Sequence, residues 1–157
     1  MHRLPSFACR CAVLALSWLA LAPSQALAGK VALVPAPASL EAREGVFAVD
    51  AHTRVLALDA QSLAAARHFS QYLAQAHGPR LRVAQARSEG TGAIHFRIDP
   101  QAAGNGPESY TLEVEPRRVV ASARDPRGLF YGATTLWQLL VPAGATPQEI
   151  PALRIQD

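Results

Sequence analysis

The strongest constraint on the fold lies between residues 110 and 140, where period-two patterning gives way to a helical stripe. Tyr110, Leu112 and Val114 alternate with Thr111, Glu113 and Glu115. In an extended segment this puts the apolar side chains on one face and the polar ones on the other. Pro116, Arg117 and Arg118 interrupt the run, and residues 119–123 return as the second arm of an antiparallel hairpin. Asp125-Pro126 then marks a helix start: an N-cap Asp accepts free backbone N–H groups, and proline at the first helical position loses no hydrogen bond. Leu129, Ala133, Leu136, Trp137 and Leu140 form one buried stripe, and Val141-Pro142 ends it. A half-apolar hairpin and a half-apolar helix bury both surfaces by packing helix on sheet. Gly128 and Gly132 each weaken that helix by about 1 kcal/mol relative to Ala. Close packing against a neighbouring element would compensate.

The preceding segments extend the pattern. Val34-Pro35-Ala36-Pro37 is expected to be extended, because each proline restricts its own φ and the residue before it. Short strands are expected at residues 39–43, 46–49 and 54–58, separated by Gly45 and by Asp50-Ala51-His52. Residues 61–76 read as a helix with Ala65, Phe69, Tyr72, Leu73 and Ala76 on one stripe, stopped by Gly78-Pro79. Strands follow at 80–84 and 93–98; in the latter Ile94, Phe96 and Ile98 alternate with His95 and Arg97, so His95 is expected to face away from the core. A last extended piece covers 149–155. The expected class is α+β, a mostly antiparallel sheet with two helices packed on one face as a two-layer sandwich.

Residues 1–28 are expected to be a cleavable secretory signal peptide. Arg3 and Arg10 supply the basic start, residues 11–22 a short apolar run, and Ala26-Leu27-Ala28 the small-residue cleavage pattern, with the cut between Ala28 and Gly29. The apolar run falls short of the roughly 20 residues that a membrane-spanning helix requires. Cys9 and Cys11 lie inside this leader, so a mature chain of residues 29–157 carries no thiol for disulfides, metals or catalysis. They also precede the apolar run, where a lipid-anchor cysteine would follow it. The expected product is periplasmic or secreted and makes no membrane contact after cleavage. Removing Arg3 and Arg10 brings the formal net charge of +3 close to neutral. The remaining arginines are scattered and Lys30 is the only lysine, so a nucleic-acid footprint is not expected.

The residues themselves offer little chemistry. His52, His68, His77 and His95 have no i, i+3 or i, i+4 spacing for a metal pair, and no metal site or cofactor is expected. His68 and His77 read as solvated helix residues. Glu113 and Glu115 invite a glycosidase reading, since alternate residues of a strand lie roughly 6.5–7 Å apart. Carboxylates on an outer hairpin face near Arg117 and Arg118 more simply make surface charge pairs. Ser70, near His68, lies on a helix without a nucleophile turn, and no elbow, phosphate loop or dinucleotide fingerprint occurs. No catalytic residue is assigned.

The run Glu108-Ser109-Tyr110-Thr111-Leu112-Glu113-Val114, then Ala121-Ser122-Ala123 and Asp125-Pro126-Arg127-Gly128-Leu129-Phe130-Tyr131-Gly132-Ala133-Thr134-Thr135-Leu136-Trp137-Gln138-Leu139, resembles a known module. It is similar to the N-terminal non-catalytic domain of glycoside hydrolase family 20, the bacterial-type β-N-acetylhexosaminidases. The early Val-Pro-Ala-Pro, the Gly45–Phe47 turn and the closing Ile150-Pro151-Ala152-Leu153-Arg154-Ile155-Gln156-Asp157 fit the same module, so the resemblance covers essentially residues 29–157. One departure is Arg118, which stands where the family's hairpin turn usually carries a Gly.

The resemblance implies an accessory domain that leads into a (β/α)8 barrel. By the same resemblance that barrel holds an Asp-Glu pair and the substrate-assisted cleavage of terminal N-acetylhexosamines. Neither carboxylate maps onto this sequence, and Glu113 and Glu115 do not match the family's motif. The expected role is an exported accessory domain, inactive alone, whose partner is the catalytic barrel. The alternative is a stand-alone module binding N-acetylhexosamine-containing glycans, with Phe130 and Tyr131 as spare aromatic platforms. A related parent of the α-glucuronidase or family 84 type is also open at this point.

Overall fold

A computed structural model describes residues 33–140 and 148–157. The leader, its cleavage point at Ala28-Gly29 and the Val141-Pro142 helix stop lie outside the described residues. The elements are β1 (Ser39–Val49), β2 (Arg54–Ala57), α1 (Leu63–Gln75), β3 (Arg82–Gln85), β4 (Ala93–Ile98), β5 (Tyr110–Glu115), β6 (Arg118–Ala123), α2 (Pro126–Leu140) and β7 (Gln148–Gln156). The strands form one sheet in the order β1-β7-β5-β6-β4-β2-β3. This is the expected α+β arrangement, and antiparallel register pairs outnumber parallel ones.

The pairing has two halves. β1, β7, β5 and β6 are antiparallel neighbours, and the hairpin β5–β6 has the register Tyr110↔Ala123 to Glu115↔Arg118. Beyond β6 the sheet is parallel: β4 lies beside β6, and β2 sits between β4 and β3. The connection from β2 to β3 runs through α1, the crossover that a parallel pair requires. β3 and β4 follow one another in the chain, but β2 separates them in the sheet.

Gly45 bends a strand instead of ending one. Its φ of 104° is open to glycine and costly for other residues. The register of β1 against β7 shifts between Ala42 and Val46, so the two expected segments are one bulged strand.

Both helices are anchored at their starts, and α1 also at its end. Asp125 Oδ1 accepts the Arg127 N–H at 2.9 Å, as expected of an N-cap. At the start of α1 the work is done by Asp59: Oδ1 accepts the Ser62 N–H at 2.7 Å and Oδ2 the Ile98 N–H at 2.7 Å, tying the helix to the end of β4. The end of α1 closes with Gly78 N–H to Leu73 O and His77 N–H to Ala74 O, a Schellman arrangement. His77, at φ 61°, takes the left-handed position, whereas Gly78 is needed for space, since a Cβ there would lie 2.6 Å from Leu73 Cδ1.

The core lies between the helices and one sheet face. Phe69 and Leu73 of α1 and Leu129, Ala133, Leu136 and Leu140 of α2 pack over Val55, Ile94, Phe96, Tyr110, Leu112, Val114, Leu153 and Ile155. Gly132 lies over the Tyr110 ring, with Cδ2 3.2 Å from where a Cβ would be, and Gly128 is pressed against the Ser109 carbonyl. This is the close approach that the two helical glycines imply. The N-terminal extension is held by Gln138, whose Oε1 accepts the Val34 N–H and whose Nε2 donates to the Val34 carbonyl, each at 3.0 Å.

Candidate functional site

The two exposed sides of the domain differ in chemistry. On the sheet face turned away from the helices, several arginines and carboxylates are matched, although Arg54 and Arg82 make no ion pair among the described residues. Glu89 receives Arg97 at 3.2 Å and Arg118 at 2.8 Å; Arg97 also reaches Asp99, and Arg118 reaches Glu115 at 2.9 Å. Glu113 faces Arg154 of β7 at 3.4 Å. Glu113 and Glu115 are therefore partners of arginines on the two flanking strands, the charge pairing expected of them. Arg118, at the position where a turn glycine was anticipated, lies in regular strand pairing with Glu115. The Glu115 ion pair raises its pKa further above the ordinary value.

His95 faces away from the core, on this same side, as expected, yet it is fully buried. The loop before β4 folds over it, and the ring Nε2 lies 2.9 Å from the Gly90 carbonyl and 3.2 Å from the Gly90 nitrogen. Alternation fixes the side of the sheet that a residue faces, but a covering loop decides whether water reaches it.

The helix layer presents an aromatic groove. α1 contributes His68, Phe69 and Tyr72, and α2 contributes Phe130, Ala133, Thr134 and Trp137, around a cavity of about 220 Å³. The His68 ring lies 4.1 Å from both the Tyr72 and the Phe130 rings, and Trp137 meets Tyr72 edge-on at 6.3 Å. Tyr72 is 45% exposed, Phe130 44% and Tyr131 45%. Phe130 and Tyr131 are thus exposed as anticipated. Tyr72 and His68 depart from their expected places: Tyr72 stands on the rim of the groove, and His68 is half-buried between rings, which lowers its pKa by desolvation. The helical stripe on α1 is wide enough that its flank leaves the core, and the sequence does not say where the second helix stops covering it.

The groove holds no catalytic arrangement. Its side-chain polar groups are the His68 imidazole, the Tyr72 hydroxyl, the Trp137 indole N–H and the Thr134 hydroxyl, which donates to the Phe130 carbonyl at 3.0 Å. Ser70, considered beside His68, donates to the Leu81 carbonyl at 2.8 Å. Among the described residues no group of three His, Cys, Asp or Glu side chains converges as a metal site, and no helix is long and apolar enough to cross a membrane.

Comparison with known proteins gives this architecture a family. The profile of "Glycosyl hydrolase family 20, domain 2" matches residues 30–157. A β-N-acetylhexosaminidase of Cellulomonas fimi is 29% identical over 129 residues, covering 81% of this chain and 26% of that protein. The solved family 20 β-N-acetylhexosaminidase of Streptomyces coelicolor A3(2) is 32% identical with a TM-score of 0.62, over 78% of this chain and 25% of its own. A family 20 exo-β-N-acetylglucosaminidase from Vibrio harveyi, 23% identical, shares the fold at a TM-score of 0.65, over 80% of this chain and 18% of its own. The chain spans about a quarter of the length of such relatives. It belongs to glycosyl hydrolase family 20 and constitutes that family's domain 2.

Proposed function

We propose that this chain is the exported, non-catalytic accessory domain of a β-N-acetylhexosaminidase, a glycosidase removing terminal N-acetylhexosamine residues, and that it is inactive by itself. Its helix layer is the face that docks onto the catalytic barrel. The observation that carries this reading is the contrast between two sides of one family 20 domain: the sheet face is charged and carries several Arg–carboxylate pairs, while Tyr72, Phe130 and Tyr131 are left exposed around an apolar groove. Clustered exposed aromatics are what a protein interface core is made of. Export rests on the leader pattern at residues 1–28, which would place the domain in the periplasm or outside the cell.

The test is a chimera in which this domain replaces the corresponding quarter of the Streptomyces coelicolor enzyme. Phe130→Ser with Tyr131→Ser is expected to lower the chimera's melting temperature far more than it lowers that of the isolated domain. Equal effects in both settings would contradict docking through the groove.

A further inference from the structure

The 28 residues from Gln61 to Ser88 contain four arginines, at 67, 80, 82 and 87, and no Asp or Glu. Two of these arginines, Arg67 and Arg80, meet at one edge of the domain, because α1 lies beside β3, the outermost strand of the sheet. Arg67 and Arg80 line a shallow hollow of about 400 Å³ together with Ser70, Gln71, Ala74 and Val83. Arg97, Arg118, Arg127 and Arg154 each meet a carboxylate within 4 Å, whereas Arg67 and Arg80, like Arg43, Arg54, Arg82, Arg87, Arg117 and Arg124, make no ion pair among the described residues.

We infer that this hollow is a binding site for an acidic polysaccharide, with a carboxylate or phosphate group held between Arg67 and Arg80. A guanidinium offers a planar fork of donors that matches either oxyanion. The chemistry of the lining favours a glycan over other polyanions. None of the large apolar residues exposed on the domain lines the hollow, so it lacks the apolar centre of a protein interface. It has no aromatic ring on which a nucleobase could stack. Gln71 adds an amide suited to hydroxyl groups, and the open shape admits a flexible chain rather than a compact ligand. The choice of a glycan probe rests on the glycosidase reading of the family, but the site lies apart from the aromatic groove and its test measures neither docking nor catalysis.

The experiment is a titration of the whole chain, at low salt, with fluorescent polygalacturonate for the carboxylate and with inorganic polyphosphate for the phosphate. Saturable binding to at least one is expected, weakened at least tenfold by Arg67→Ser with Arg80→Ser and weakened further by added salt. Arg43→Ser with Arg117→Ser, equal in charge change and remote from the hollow, is expected to bind within about twofold of the unaltered chain. No saturable binding to either probe, or equal losses in both variants, overturns the site. Tighter Arg67-dependent binding of single-stranded DNA than of polygalacturonate and polyphosphate overturns the assignment to a glycan.

Discussion

The hydroxyl of Tyr110 and Oγ1 of Thr135 lie 2.7 Å apart, both buried, where β5 passes beneath α2. Each needs the other, because a buried hydroxyl without a partner costs about 1–3 kcal/mol. Burial also raises the Tyr110 pKa above its ordinary value. Thr135→Val, which preserves shape and removes the partner, is expected to destabilise the domain by about 1–3 kcal/mol, or roughly 2–12 °C in melting temperature. Adding Tyr110→Phe should restore part of that loss. A double variant whose loss equals the sum of the single losses would show that the pair is not coupled.

The helical glycines make a graded prediction. At Gly128 a Cβ would run into the Ser109 carbonyl and lie 2.9 Å from Ala123 Cβ, contacts that the backbone cannot relieve cheaply. Gly128→Ala should cost about 1–3 kcal/mol. At Gly132 the nearest atom is a ring carbon of Tyr110 at 3.2 Å, and a small shift there competes with a helix-propensity gain of about 1 kcal/mol. Gly132→Ala should therefore be near neutral. Urea denaturation of both variants checks the ranking, and a reversed order would contradict the packing described.

Much of this was legible in the sequence because local signals and tertiary packing agree. Asp125-Pro126 caps α2 as its chemistry requires, and the alternation of Tyr110, Leu112 and Val114 matches the buried face of β5. Strand partnership was not legible: residues 82–85 carry no mark that says they pair with β2 rather than with β4. Nor were the surroundings of His95 and Tyr72, which depend on a loop folding over one and on a second helix stopping short of the other. The exposed aromatics Phe130 and Tyr131 could be singled out from sequence, but their convergence with α1 could not.

His68 gives a signed pH dependence. Its folded pKa is lowered by burial between the rings, so the unfolded chain binds the proton more readily. The contribution of neutral His68 is fully present above its ordinary value of about 6.5 and is lost as pH falls through the lowered folded value. Denaturation midpoints should decline over that window more steeply for the unaltered chain than for His68→Gln. Parallel curves would contradict the placement of His68.

The groove should also govern association. With Tyr72, Phe130 and Tyr131 exposed, the isolated domain is expected to elute earlier on size exclusion as its concentration rises. Phe130→Ser with Tyr131→Ser should abolish that shift. A monomer at every concentration would count against an unpartnered docking face.

We propose that this family 20 domain supplies structure and not chemistry. Incubating the purified domain with a fluorogenic N-acetylglucosaminide tests it most directly. The expected rate is that of buffer alone, unchanged by Glu113→Gln or Glu115→Gln. Turnover at enzyme-like rates, abolished by either substitution, would contradict it.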